Sequence, residues 1–97
     1  MTGWILESGG ETPTTVRVTP GSVRTIGRTA RADFVVTAPL VSRVHCRLTA
    51  DPSDQLVVED LSSTNGISVN GRRVERAVLR EGDRLTVGRL EFSVRRA

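Results

Sequence analysis

The chain has a single cysteine, a single histidine, no lysine, no tyrosine and only three aromatic residues among its 97 positions. A lone Cys46 excludes an internal disulfide, and a reducing compartment, the cytoplasm, is the expectation. Cys46 and the neighbouring His45 cannot supply four zinc ligands between them, so no metal and no other cofactor is expected. Trp4, Phe34 and Phe92 are too few to build a base-stacking platform for single-stranded nucleic acid. No apolar run approaches the roughly 18 residues of a membrane helix. Met1 to Gly10 has no secretory apolar stretch, so no membrane contact is expected. A nucleotide-hydrolase phosphate loop is excluded as well, because lysine is missing and Gly27, Gly66, Gly71 and Gly82 lack its spacing.

What remains is the composition of one small soluble domain, 37% hydrophobic and 26% charged, without linker, repeat or low-complexity tract. The predicted domain spans residues 1–97, and a monomer is expected. All 14 positive charges are arginine, which reads first as the signature of a GC-rich bacterial genome. Their placement says more. Arg17 to Arg47 carries six arginines against Asp33 alone, a local charge of +5, whereas the rest has eight arginines against ten acids, or −2. A positive patch on a nearly neutral body suits a small anionic target better than a long polyanion.

Valine, isoleucine and threonine make up 28 residues, and this favours strands. Apolar and polar residues alternate over Val16–Val18, Val44–Thr49, Ile67–Val69 and Leu90–Arg95. Phe34-Val35-Val36 and Leu56-Val57-Val58 read as strands buried on both faces or lying near the middle of a sheet. Turn signals punctuate these runs at Gly9-Gly10, Pro20-Gly21, Asp51-Pro52-Ser53, Asn65-Gly66, Asn70-Gly71 and Glu81-Gly82-Asp83. The pattern predicts an all-β sandwich or small barrel. Val74, Ala77 and Val78 have helical spacing, but the segment is short and uncapped, and a loop with a short strand is preferred there.

Catalysis finds no support. A nucleophile needs a base within reach and a third group to orient that base. With a strand starting at Val44, His45 and Cys46 face opposite sides of the sheet and cannot form a thiolate pair. Three turn-rich segments carry more information: Gly27-Arg28, Ser42-Arg43-Val44-His45, and Asp60 to Gly66 followed by Asn70-Gly71. Each alone reads as an ordinary surface turn. Taken in order, and closed by Gly82-Asp83-Arg84-Leu85-Thr86-Val87-Gly88, they resemble the forkhead-associated (FHA) domain from about Val23 to Val94.

The resemblance implies a two-sheet β-sandwich of about eleven short strands. Trp4 to Thr19 would supply the first two, and loops at one end would bind phosphothreonine peptides. It implies that Arg28 is the main phosphate ligand and that Ser42 donates its hydroxyl to a second oxygen. Arg43 would contribute its backbone amide or its side chain. Thr64 would contact the phosphate or line the pocket, and Asn65 would hydrogen-bond the peptide backbone. Gly27, His45, Gly66 and Asn70 would support the loops: His45 by holding the Ser42 segment, the two glycines by adopting angles that side chains forbid, and Asn70 by bracing the third loop or touching the peptide. Leu40 and Arg31 are candidates for choosing among peptide sequences. The residue types fit the chemistry, since a phosphothreonine carries about −1.5 to −2 charges and three acceptor oxygens. Arginine offers a planar fork that cannot lose its proton.

The implied partner is a protein phosphorylated by a serine/threonine kinase, the kinase itself included, and the implied role is that of a signalling adaptor without enzymatic activity. Two other readings compete. A basic β-module for nucleic acid rests only on the arginines between Arg17 and Arg47. A phosphate-independent scaffold would keep the fold without using Arg28, Ser42, Thr64 and Asn65. The threonine-rich turn Glu11 to Thr15 reads as an ordinary turn rather than as a phosphorylated ligand for another copy.

Overall fold

A computed structural model describes residues 3–10 and 13–97; Met1, Thr2, Glu11 and Thr12 lie outside the described residues, so the readings of the N-terminal stretch and of the threonine-rich turn fall partly beyond them. Strands β1 (Trp4–Ser8), β2 (Thr15–Val18), β7 (Ile67–Val69), β8 (Arg72–Val74), β10 (Arg84–Val87) and β11 (Leu90–Arg96) form one sheet, in the order β2-β1-β11-β10-β7-β8. The second sheet is β4 (Phe34–Val35), β3 (Val23–Gly27), β5 (Cys46–Ala50), β6 (Leu56–Asp60) and β9 (Arg76–Leu79), in that order. The predicted sandwich of about eleven strands is what the described residues form, and none of them makes a helix long and apolar enough to cross a membrane.

The core follows from the alternation. Val16 and Val18, Cys46, Leu48 and Ala50, Leu85 and Val87, and Phe92 and Val94 all point between the sheets, while their neighbours face outward. Trp4 closes the far end, its indole N–H donating to the Asp54 carbonyl at 3.0 Å with the Arg96 guanidinium 4.3 Å above the ring. Cys46 is fully buried. Desolvation, and secondarily the negative charge of Asp60, push its thiol up to about 12. A disulfide-exchange reagent should therefore leave the native protein unlabelled at neutral pH and modify Cys46 only in denaturant; rapid labelling of the folded chain would contradict this burial.

Two sequence readings need correcting. Phe34-Val35-Val36 is not a central strand. It forms a two-residue edge strand paired in parallel with β3, with Val35 exposed. The segment around Val74–Val78 is neither a helix nor a loop with one strand. It is two strands, β8 and β9, which pair in different sheets, β8 with β7 and β9 with β6. The spacing of Val74 and Ala77, both packed against the core, arises because the chain crosses from sheet to sheet at Glu75, whereas Val78 faces outward and is exposed.

Register fixes where the loops emerge. Ile26 pairs with Cys46, Cys46 with Asp60, and Ile67 with Val87. The ends of β3, β6 and β10 and the starts of β5 and β7 therefore share one pole. Trp4 pairs with Arg96 at the other.

Candidate functional site

Gly27 ends β3, and a side chain there has no room. A Cβ would lie 2.2 Å from the Arg43 carbonyl oxygen and 2.8 Å from Val44 Cα. The expectation for Gly27 is thus corrected in its reason: its φ is not left-handed, and what the position requires is close passage of the 43–44 backbone. That passage brings the next residue onto the loop before β5. The Arg28 N–H donates to the Ser42 carbonyl at 2.9 Å, and the Arg28 Nε–H donates to the Val41 carbonyl at 2.9 Å. With Nε anchored, the guanidinium is held in one direction and its two terminal nitrogens remain available to an anion.

Ser42 is bound on both sides. Its N–H donates to His45 Nδ1 at 3.0 Å, and its hydroxyl oxygen accepts from the Thr64 N–H at 3.1 Å. The hydroxyl keeps its own proton to donate. His45 is completely buried, and its Nε2 lies 2.8 Å from the Gly66 carbonyl. A backbone N–H can only donate and a carbonyl can only accept. The ring therefore carries its proton on Nε2 and bridges the second loop to the third. The network thus makes His45 a strut between loops.

The third loop is tied from below. The Ser63 N–H donates to Asp60 Oδ2 at 3.2 Å, the Ser63 hydroxyl donates to Asp60 Oδ1, and the Gly66 N–H donates to Ser63 Oγ at 2.8 Å. Asn65 Nδ2 donates to the Leu40 carbonyl at 3.1 Å, joining the third loop to the rim of the second. This leaves the Asn65 side-chain oxygen and one amide hydrogen for other partners. Leu40 itself has φ 68° and is 45% exposed.

Arg28, Leu40, Ser42, Arg43, Thr64 and Asn65 line one open hollow at this pole, and no acidic residue among the described residues lines it. Most of the other arginines in the positive stretch are directed elsewhere: Arg47 pairs with Glu59 at 2.9 Å, and Arg24 Nη1 donates to the Val23 carbonyl at 2.8 Å. Arg31 is exposed on the turn after Arg28 but outside the hollow. The expectation for Asn70 is corrected. It sits at the opposite end of β7, in the β7–β8 turn, where Nδ2 donates to Asp83 at 3.0 Å and Oδ1 accepts from the Arg84 N–H at 2.9 Å. It therefore pins that turn to β10 and braces none of the hollow's loops.

Three residues escaped the sequence reading. Asp60 and Ser63 were visible only as part of a turn. Their Asp-x-x-Ser spacing, the signature of a side chain capping its own turn, was the available signal. Arg73, on β8, is the third. Its guanidinium occupies the space over Gly66, where a Cβ would fall 2.2 Å from Nε. Nothing local in sequence marks a contact between residues 66 and 73 as specific.

The family model for the FHA domain matches residues 24–88, the stretch containing every residue that lines the hollow. The chain belongs to the FHA-domain family. Among curated proteins, this FHA domain is 41% identical over 73 residues to the ABC transporter ATP-binding/permease protein Rv1747 of Mycobacterium tuberculosis. The match covers 75% of this chain but only 8% of that much longer protein. Among solved structures, it superposes with TM-score 0.87 and 31% identity on an FHA domain studied for phosphothreonine-dependent interactions, covering 96% of this chain and 95% of that one. It also superposes with TM-score 0.86 and 32% identity on the FhaA FHA domain, solved in complex with the intracellular domain of Rv3910, covering 95% and 99% of the two chains.

Proposed function

We propose that this FHA domain is a phosphothreonine-peptide-binding module that docks proteins modified by serine/threonine kinases and has no catalytic activity of its own. The observation that carries the reading is the convergence of the Arg28 fork, the Ser42 hydroxyl and the Asn65 amide on one open hollow that no described acidic residue lines. Arg28 takes two phosphate oxygens through its terminal nitrogens, and Ser42 donates to the third. Arg43 adds positive charge beside them, and Asn65 holds the peptide backbone. Thr64 lines the hollow, and its N–H fixes the Ser42 oxygen. A solved FHA domain named for phosphothreonine-dependent interactions, 31% identical to this chain, supports the same reading. The proposed setting is cytoplasmic, with residues 1–97 acting as one monomeric unit.

Isothermal titration with a phosphothreonine peptide and its unphosphorylated twin tests this. Binding should require the phosphate, and equal affinity for both peptides would overturn the reading in favour of a phosphate-independent scaffold. Nucleic acid is addressed by competition: duplex DNA should not displace the phosphopeptide, because the hollow offers donors for one phosphate rather than a track for many.

The affinity should also fall as pH drops from 7 to 5. The second phosphate pKa lies near 6, so the ligand loses one negative charge across that interval while both arginines keep theirs. Titrations at intervals of half a pH unit would show the decline, and a flat profile would remove the dianion from the mechanism.

A further inference from the structure

Gly66 has both backbone groups committed, its N–H to Ser63 and its carbonyl to His45. It is buried with φ 76°, and its bare Cα faces Arg73, whose Nε, Cζ and Nη2 lie 2.2–2.4 Å from the site a Cβ would fill. Glycine at 66 thus provides a seat that a guanidinium occupies, one residue along the chain from the hollow-lining Asn65. The Arg73 side chain is itself exposed, and it forms no ion pair with a described carboxylate. Its cross-strand neighbour on β7 is the neutral Ser68. In the same outward row, Glu91 on β11 is engaged by Arg84 at 3.1 Å. Glu75, two residues along the chain, makes no ion pair with Arg73. A guanidinium without an ion-pair partner, lying over Gly66 beside an anion-binding hollow, presents its N–H groups to whatever the peptide places beside the phosphate.

We propose that Arg73 is a specificity-determining residue that pairs with an acidic side chain flanking the phosphothreonine, on the Gly66 side of the hollow. The inference rests on the phosphothreonine reading and deepens it. Arg73 is separate from the phosphate ligands, because it approaches from the outer face of the other sheet and is absent from the hollow's lining. Arg73 and the Leu40 rim then flank the phosphate site at different places. One selects for charge, and the other tolerates apolar side chains.

The test uses a phosphothreonine peptide with alanine flanks and a set of the same peptide with one glutamate moved through each flanking position. Wild type should prefer one or two glutamate positions by about threefold to fivefold, the size of an exposed ion pair. In Arg73→Gln, which keeps a polar side chain but removes the charge, that ratio should fall to about one; Arg73→Lys should restore part of it. Arg28→Ala should weaken every peptide in the set. Absence of a glutamate preference in wild type, or its survival in Arg73→Gln, overturns the role of Arg73 while leaving the phosphothreonine reading intact. Failure of wild type to bind any phosphopeptide overturns both.

Discussion

Replacing Arg28 by alanine should weaken phosphothreonine-peptide binding tenfold to a hundredfold or more. Charge-assisted hydrogen bonds contribute on the order of 1.5–3 kcal/mol, and about 1.4 kcal/mol is one factor of ten. Two such bonds from the terminal nitrogens are at stake, on a side chain whose direction is fixed by its Nε bond to the Val41 carbonyl. Stability should change little by comparison, since Arg28 is exposed and its Nε contact with the Val41 carbonyl is one hydrogen bond at a wet surface. Arg28→Lys separates charge from geometry. A lysine keeps the positive charge but cannot both hold Val41 and present a fork, so it should recover only a fraction of the loss. Calorimetry on the three proteins, paired with urea melts, reads both quantities. Wild-type affinity in the alanine variant would end the assignment.

His45→Ala should have the largest effect on the fold. The imidazole is fully buried and satisfies two backbone groups at once, the Ser42 N–H and the Gly66 carbonyl. Without it, a part-buried donor and a buried acceptor lose their partner, each costing about 1–3 kcal/mol, so a total of roughly 2–6 kcal/mol is expected. Such a loss consumes much of the stability of a domain this size. Where the variant still folds, its phosphopeptide affinity should fall too, because the Ser42 and Gly66 loops lose their common strut. The urea midpoint reports the first effect, and titration well below that midpoint reports the second. An unchanged midpoint would show that the ring does not carry this bridge. His45 contacts no ligand in the proposed mode, so any binding defect arises through the loops it joins.

Much of this was legible in the sequence, and the exceptions share a cause. The strands whose residues alternate, such as Val16–Val18 and Leu90–Arg95, were visible because each buries one face between the sheets. Phe34-Val35-Val36 misled because a continuous apolar run does not reveal whether its strand is central or at an edge. At Val74–Val78, periodicity assumes that the reference face stays fixed along the segment, and a change of sheet at Glu75 breaks that assumption. The loop residues were readable for a different reason. Gly27, Arg28, Ser42, His45, Asn65 and Gly66 form an ordered set whose spacing matches a family. Asn70 shares that motif but takes its partners, Asp83 and Arg84, from a loop at the other pole, and only the β7–β10 register shows this. Arg73 is the converse case, a residue outside the motif brought beside Gly66 by the short β7–β8 hairpin.

The pairing of Trp4 with Arg96 has a mechanical consequence. Entry and exit of the folded unit lie side by side on neighbouring antiparallel strands, at the end away from Arg28. Any polypeptide joined there departs behind the recognition face, so a bound target and an attached cargo approach from opposite directions without crossing. Tension applied through those two attachment points would load β1 and β11 in opposite directions, peeling their hydrogen bonds one by one from the tethered end, and would reach the phosphate loops last.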